Sequence, residues 1–555
     1  MVKRKGKLLV IAGVLTIIGL LLASCGPAAE QPAAEQPTTG QPTTEQPTTG
    51  QPTTGQPTTG GPKGEFTVAL TDMQFRNALD PLTILNASGC PIKMLLFDSL
   101  VCIDSNAKLL PALAESWKIA DDWSKIDFTL RQGVKWSNGD PFTAKDVKFT
   151  IDKFTAKDSM YHYSGDFKKS IKEVVVVDDY HVTFFLSAPF PVIFDRLNDT
   201  GGMVPKDYYE KMGQQGFAAK PVGAGPFKII DFKDGQFINV EAVVNHYRKT
   251  PYVEKVHLVF VTEAMTQLAM LKTGEVDMIN ANVEQIPDVQ KDSRLKIYPV
   301  NYSSQQAICF HDLRYPETTQ WTDLRVRQAA SVAIDRVTIC KKVFYDVYLP
   351  SSQFLAPFNL GYDPTLPVLP YDPVKAKQLL ADAGYPNGFE TTLTFSGSTT
   401  QPQIVSAYLG DVGIRVKLKA VESATLSTLR STSYSNPTSP NVLRGLTLYS
   451  VPVYNGIIHS GGACESQMGG GSLNSAGLTN PGVKALIEES MKYQQDDPRL
   501  AEVAKKFNEL ELKDLWHCPL WVNNTQWAAD NTKVAEVLWK PGRTGAILFE
   551  LVKLK

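Results

Sequence analysis

The chain has 555 residues, too many for one hydrophobic core, so two or three folded units are expected. With 43% hydrophobic and 20% charged residues, it has the make-up of a water-soluble globular protein. A formal net charge of −1 excludes a broad electrostatic attraction to nucleic acid or acidic lipid, though not a local basic patch.

The chain opens with Lys3, Arg4, Lys5 and Lys7, followed by an apolar run from Leu8 to Ala23. The run is short of the roughly 20 residues that cross a bilayer. Basic start, apolar core and the small residues Ala23-Ser24 make a secretory signal over residues 1–24. Cys25 directly after Leu22-Ala23-Ser24 resembles a bacterial lipobox. That resemblance implies cleavage before Cys25, lipidation of its sulfur and anchoring at the extracytoplasmic membrane surface. The alternative is an uncleaved anchor with an incidental cysteine. Residues 25–64 then read as a disordered tether: Gln36 to Gly60 repeats Gln-Pro-Thr-Thr-Gly/Glu and has nothing apolar to bury.

The folded body is expected from about Glu65, with a first strand Phe66–Leu70. Thr143 to Asp146 is a capping box, opening a helix with Val147, Ile151 and Phe154 inward. Further strands are expected at Asp127–Leu130, Val174–Val177, His181–Leu186, Phe227–Phe232, Phe237–Val244 and Lys255–Val261. One long helix is expected from Asp323 to Phe344, with Val326, Ala329, Ala330, Ala333, Ile334 and Val337 on a single buried face. Asp372 and Pro373 start another helix, which Gly384 and Pro386 end, and a strand follows at Phe389–Phe395. Mixed helices and short strands argue for α/β lobes.

Motifs of chemistry are few. Gly223-x-Gly225 begins like a nucleotide loop, but Lys228 stands where a third glycine belongs and Pro226 removes an N–H. No GxxxxGK[ST], HExxH or GxSxG occurs. The carboxylate pairs Asp121-Asp122 and Asp178-Asp179 read as solvated turns. Cys90, Cys102, Cys309, Cys340, Cys464 and Cys518 show no zinc spacing and read mostly as small buried hydrophobes. His459 with Cys464, or His517 with Cys518, lacks the three ligands a metal needs. No cofactor or metal is expected, and no enzyme activity.

Four segments in order resemble the large extracytoplasmic solute-binding proteins of peptide and nickel ABC importers, known as family 5. They are Pro111–Trp117 running on through Asp127–Val147; Pro221–Lys228 with Lys272–Asp277; Asp323–Ala329 with Ala333–Arg336; and Tyr371–Phe389. The resemblance spans nearly everything from Glu65 to Lys555. It implies a two-lobed, type II periplasmic-binding-protein-like α/β fold with an extra subdomain. Lobe I would comprise residues 65–108, 222–309 and 519–555, the extra subdomain 109–221, and lobe II 310–518. The chain would then cross between lobes at Cys309-Phe310 and Cys518-Pro519, a two-segment hinge. If those crossing strands are neighbours, Cys309 and Cys518 could form a disulfide.

The implied role is capture of a small, peptide-like solute by lobe closure and its delivery to the permease subunits of an importer, by a lipid-anchored monomer that binds no nucleic acid. An oligosaccharide or metal-chelate receptor, a ligand sensor docking on a signalling receptor, and a secreted hydrolase are the alternatives. Relatives that bind peptides often fix the solute's amine with an acid after a Trp-rich strand, whereas Leu446–Asn455 here contains no acid. Candidate ligand contacts are Met73, Phe75 and Arg76 after the first strand, Tyr449 and Tyr454 in lobe II, and Trp521 beyond the crossing. Aromatic rings can stack on a solute, and Arg76 can meet a carboxylate.

Overall fold

A computed structural model describes residues 61–71, 79–83, 90–106, 108–161, 163–199, 202–314, 319–357, 359–426, 428–429, 443–452, 481–494, 497–540 and 546–555. Cys25, the tether repeats, Met73, Phe75, Arg76, Tyr454, His459 and Cys464 lie outside them. In chain order the strands begin with β1 (Glu65–Leu70), then β2 (Val101–Ile103), β3 (Leu109–Pro111), β4 (Ala114–Ile119), β5 (Lys125–Leu130), β6 (Ile171–Asp178) and β7 (His181–Leu186). Next come β8 (Phe227–Lys233), β9 (Phe237–Ala242), β10 (Lys255–Phe260), β11 (Met278–Ala281), β12 (Leu295–Phe310) and β13 (Leu349–Pro350). Then follow β14 (Phe389–Phe395), β15 (Ile414–Ala420), β16 (Leu446–Pro452) and β17 (His517–Asp530).

One sheet runs β15-β14-β16-β12-β17-β11-β1-β10-β9-β8, with β13 added on β17. A separate four-stranded sheet, β4-β5-β7-β6, belongs to the segment between β3 and β8. Its Ile126, Phe128, Val182 and Phe184 pack in the same core as Phe66, Val68, Ile238 and Val256 of the first lobe. A second core gathers Ile308, Trp321, Val326, Leu380, Leu393 and Val405. These two cores give the two lobes.

The first lobe is assembled from distant pieces of chain, and one ionic knot ties three of them. Arg248 reaches Asp98 at 2.8 Å and Glu550 at 3.1 Å, and all three are largely buried. Tyr247 also donates to Asp98. Burial works against the Asp98 charge, but Arg248 and His246 outweigh it and hold the carboxyl well below its usual range. The Gly223-x-Gly225 motif has a packing reason. A Cβ on Gly223 would sit 1.9 Å from the Leu96 carbonyl oxygen, and Gly225 donates its N–H to that oxygen at 2.9 Å.

The helix expected over Asp323–Phe344 is two: α1 (Leu324–Val332) and α2 (Arg336–Lys342). Asp335 restarts the helix by accepting the Thr338 N–H at 2.9 Å. Val337, expected inside, is therefore 55% exposed. The break serves Arg336, whose buried guanidinium donates to the carbonyls of Ser331, Ile334, Ser351 and Pro519. Arg327 likewise donates to the carbonyls of Leu515, Trp321, Thr322 and Asp514. Arg327 and Arg336 of the third motif thus bind backbone, not solute.

The remaining local expectations need little change. Asp146 of the capping box accepts the Thr143 N–H at 2.9 Å, and Val147, Ile151 and Phe154 are fully buried. Asp372 caps Pro373–Asp382 through the Lys375 N–H. Asp122 and Asp178 accept the N–H groups of Ser124 and Tyr180, which makes both carboxylate pairs parts of exposed turns.

Candidate functional site

The two longest strands, β12 and β17, pair antiparallel along their length and carry the chain between the lobes. At one end β17 pairs with β11 over Gln526–Ala529, in the first lobe. At the other, β12 pairs with β16 over Ser304–Phe310, in the second. Between these ends the β12–β17 register slips: Val300 faces Thr525, then Ser304 faces Asn523. Three residues of β12 there oppose one of β17, a larger irregularity than the usual two-to-one bulge.

The expected crossing residues lie beyond this slip. Cys309, Phe310, Cys518 and Pro519 are all buried on the second lobe's side. The disulfide expectation is corrected too, since both thiols are free. Cys309 faces His517 and Cys518 faces Ile308. Neighbouring strand residues point to opposite sides, so the two sulfurs sit on opposite faces of the sheet.

The crossing is lined with primary amides. Gln305, Gln306, Asn524 and Gln526 are all at least nine-tenths buried. Asn523 donates to Gln306 Oε1 at 3.1 Å, and Gln305 Nε2 donates to the carbonyls of Gln306 and Trp521, each at 3.3 Å. Gln305 Oε1, Gln526 Oε1 and Trp521 Nε1 are buried without a hydrogen-bond partner. Buried polar atoms are normally paired, so the two amide oxygens can accept from a bound group. Amides offer both roles at no charge, and their burial costs far less than that of carboxylates. Such a surface can hold and orient a polar solute. The sequence carried the signal: Val522-Asn523-Asn524-Thr525-Gln526 interrupts an otherwise apolar strand, and Ser303-Ser304-Gln305-Gln306 does the same in its partner.

Of the expected ligand contacts, Tyr449 pairs through its backbone with Ala307 on β12, close to this crossing. Trp521 is fully buried in the second core with its ring 5.1 Å from Phe344, so it packs there rather than presenting a face to a solute. His517 does not join Cys518 in a metal site. Its ring meets the buried Glu511 at 2.8 Å. Burial opposes its charge, but Glu511 and Cys309 overcome that and lift it to about 10. Among the described residues no group of three metal-binding side chains comes together. No helix among them is long and apolar enough to cross a membrane. Beside Val522, between Leu349 and Val368, a cavity of about 30 Å³ has room for one water.

Residues 108–443 match the family model described as "Bacterial extracellular solute-binding proteins, family 5 Middle". The glutathione-binding protein GsiB of Salmonella typhi is 29% identical over 354 residues, covering 62% of this chain and 67% of that one. NikA from Brucella suis, solved with Fe(III)-EDTA, superposes with a TM-score of 0.76 at 19% identity, over 89% of this chain and 100% of NikA. DppA from Helicobacter pylori, solved with the peptide STSA, gives 0.68 at 21% identity, over 89% and 98%. These structures share the two-lobed fold built here around β12 and β17. The chain belongs to family 5 of the bacterial extracellular solute-binding proteins, the substrate-binding components of ABC importers.

Proposed function

We propose that this receptor captures a small peptide-like solute between its lobes and hands it on to the importer permease without altering it. The observation that carries the reading is the amide-lined, two-strand crossing, where the register slip between Val300 and Ser304 gives the lobes a place to pivot. A solute that touches both lobes stabilises the closed arrangement, and one that touches a single lobe shifts nothing. The GsiB and DppA comparisons favour peptide-like solutes, and NikA favours a chelate as the second reading. The acid-free segment Leu446–Asn455 argues that the solute is not held by an amino terminus through that strand. Neutral amides suit its peptide groups instead. The proposal includes lipidation of Cys25 on the extracytoplasmic face, with residues 25–64 as a tether and a monomer as the working unit.

Native mass spectrometry of the full-length protein, released from its own membranes, tests this. The expected result is a small-molecule adduct that exchanges with an added peptide mixture. Protein that carries no adduct and acquires none from peptides would overturn the peptide reading. A chelate adduct would replace it with the second.

A further inference from the structure

The crossing has two edges, and they are built differently. On the β12 side the gap between the lobes is the bulge at residues 301–303. On the other side β17 changes partner. It pairs with β13 at Trp521 and Val522, then with β11 from Gln526 onward. At Asn523–Thr525 neither strand reaches it. The Val347 carbonyl fills that gap. It accepts from Asn524 Nδ2 at 2.9 Å and from Gln526 Nε2 at 3.3 Å. Gln526 Nε2 also donates to the Asn524 main-chain carbonyl at 2.8 Å, which fixes the Gln526 side chain against the strand's own backbone.

Val347 comes from the second lobe, in the turn that follows α2. The turn is held in an unusual shape: Tyr345 and Asp346 have φ of 50° and 59°. Two successive non-glycine residues in the left-handed region cost free energy and persist only when their surroundings enforce them. The return is contact across the gap. The Val347 side chain packs on the first lobe's cluster of Ala69, Leu268, Ile279 and Ala528. In exchange, Val283 of the first lobe packs on the second lobe's core, as does Tyr348. Burial of Tyr348, with the Glu284 carboxylate nearby, pushes its phenol up to about 12.

We propose that Asn524 and Gln526, by gripping the Val347 carbonyl, form a third connection between the lobes and set the balance between their open and closed arrangements. In this role they are positioning residues, acting on solute affinity through the interlobe equilibrium. The affinity consequence rests on the receptor reading above; the effect on lobe geometry does not. A receptor whose competent arrangement is only partly populated binds more weakly by that fraction. Two amide hydrogen bonds are enough to shift such a ratio about ten-fold.

The test measures interlobe distance in the solute-free, full-length protein. Spin labels on keto-amino acids replace the exposed Lys272 of the first lobe and Lys377 of the second, which leaves every cysteine untouched. The N524A/Q526A variant is compared with the otherwise unchanged protein by pulsed electron resonance, alongside circular dichroism. The expected outcome is a displaced or broadened distance distribution with native secondary structure. A folded variant whose distribution superposes on that of the parent overturns the proposal. Should the double variant not fold, Gln526→Ala alone, which leaves the shorter Asn524 bond in place, must still displace the distribution; no displacement overturns the proposal equally. Failure of the receptor reading would look different: the parent's distribution would ignore every peptide added, while the comparison of parent and variant would stand.

Discussion

Asp80 shows how much one buried group can do. It is 2% exposed, accepts the Leu82 N–H at 3.0 Å on one oxygen and the Tyr209 hydroxyl at 2.8 Å on the other. It thereby fixes the turn Pro81–Thr83 to the helix Lys206–Ala219. Burial lifts its carboxyl from 3.8 to about 6, because the two hydrogen bonds offset only part of the lost hydration. A raised acid is held protonated by the fold at pH values where the unfolded chain has already released the proton. Its contribution therefore favours the fold as pH falls through 6 and levels off below 3.8. Relative to Asp80→Asn, the parent should gain on the order of 1 kcal/mol between pH 7 and pH 5. Urea unfolding of both proteins at the two pH values measures this. A constant difference would mean that Asp80 titrates normally. Nothing in the sequence marked Asp80, since its partner Tyr209 stands 129 residues away. Separations of 150 and 302 residues hid the Asp98–Arg248–Glu550 knot in the same way.

At the scale of elements, local signals were legible and interruptions were not. The strands His181–Leu186 and Phe389–Phe395 stand where their β-favouring residues place them. The helices after Thr143 and Asp372 start at their caps, because a cap is a hydrogen bond between near neighbours. The break at Ala333–Asp335 was illegible because periodicity cannot see a buried arginine that needs backbone carbonyls. The register slip was illegible for a similar reason. The slip at Val300–Ser304 depends on which strands pair, not on either strand alone. Two substitutions test the helix break. Asp335→Ala removes the α2 cap and should cost about 1 kcal/mol of stability. Val337→Lys should change stability by less than about 0.5 kcal/mol, since the break turns that position outward. A continuous helix would reverse the order, putting several kcal/mol on Val337→Lys and almost nothing on the cap. Thermal melts of the two variants distinguish these cases.

For the whole molecule, the shared sheet decides how binding is felt. The two cores are separate, but β12 and β17 belong to both, so neither lobe can rearrange without loading the crossing. A solute held by both lobes stabilises the closed arrangement as a unit, by about 2.7 kcal/mol when its concentration is 100 times its dissociation constant. That stabilisation should appear as slower hydrogen exchange in two places at once. One is the first-lobe strand Phe237–Ala242 and the other the second-lobe strand Phe389–Phe395, neither of which lies at the crossing. Equal slowing in both, growing together as solute is titrated, is the expected result. Protection confined to one of them would mean that the solute rests on a single lobe. Such a solute has no differential affinity for the closed state, and closure could not report its presence to a permease. Exchange at Asn523–Thr525 adds the final discrimination. If the lobes pivot where the register slips, these amides should slow least in the complex, because the pivot must stay deformable in both arrangements.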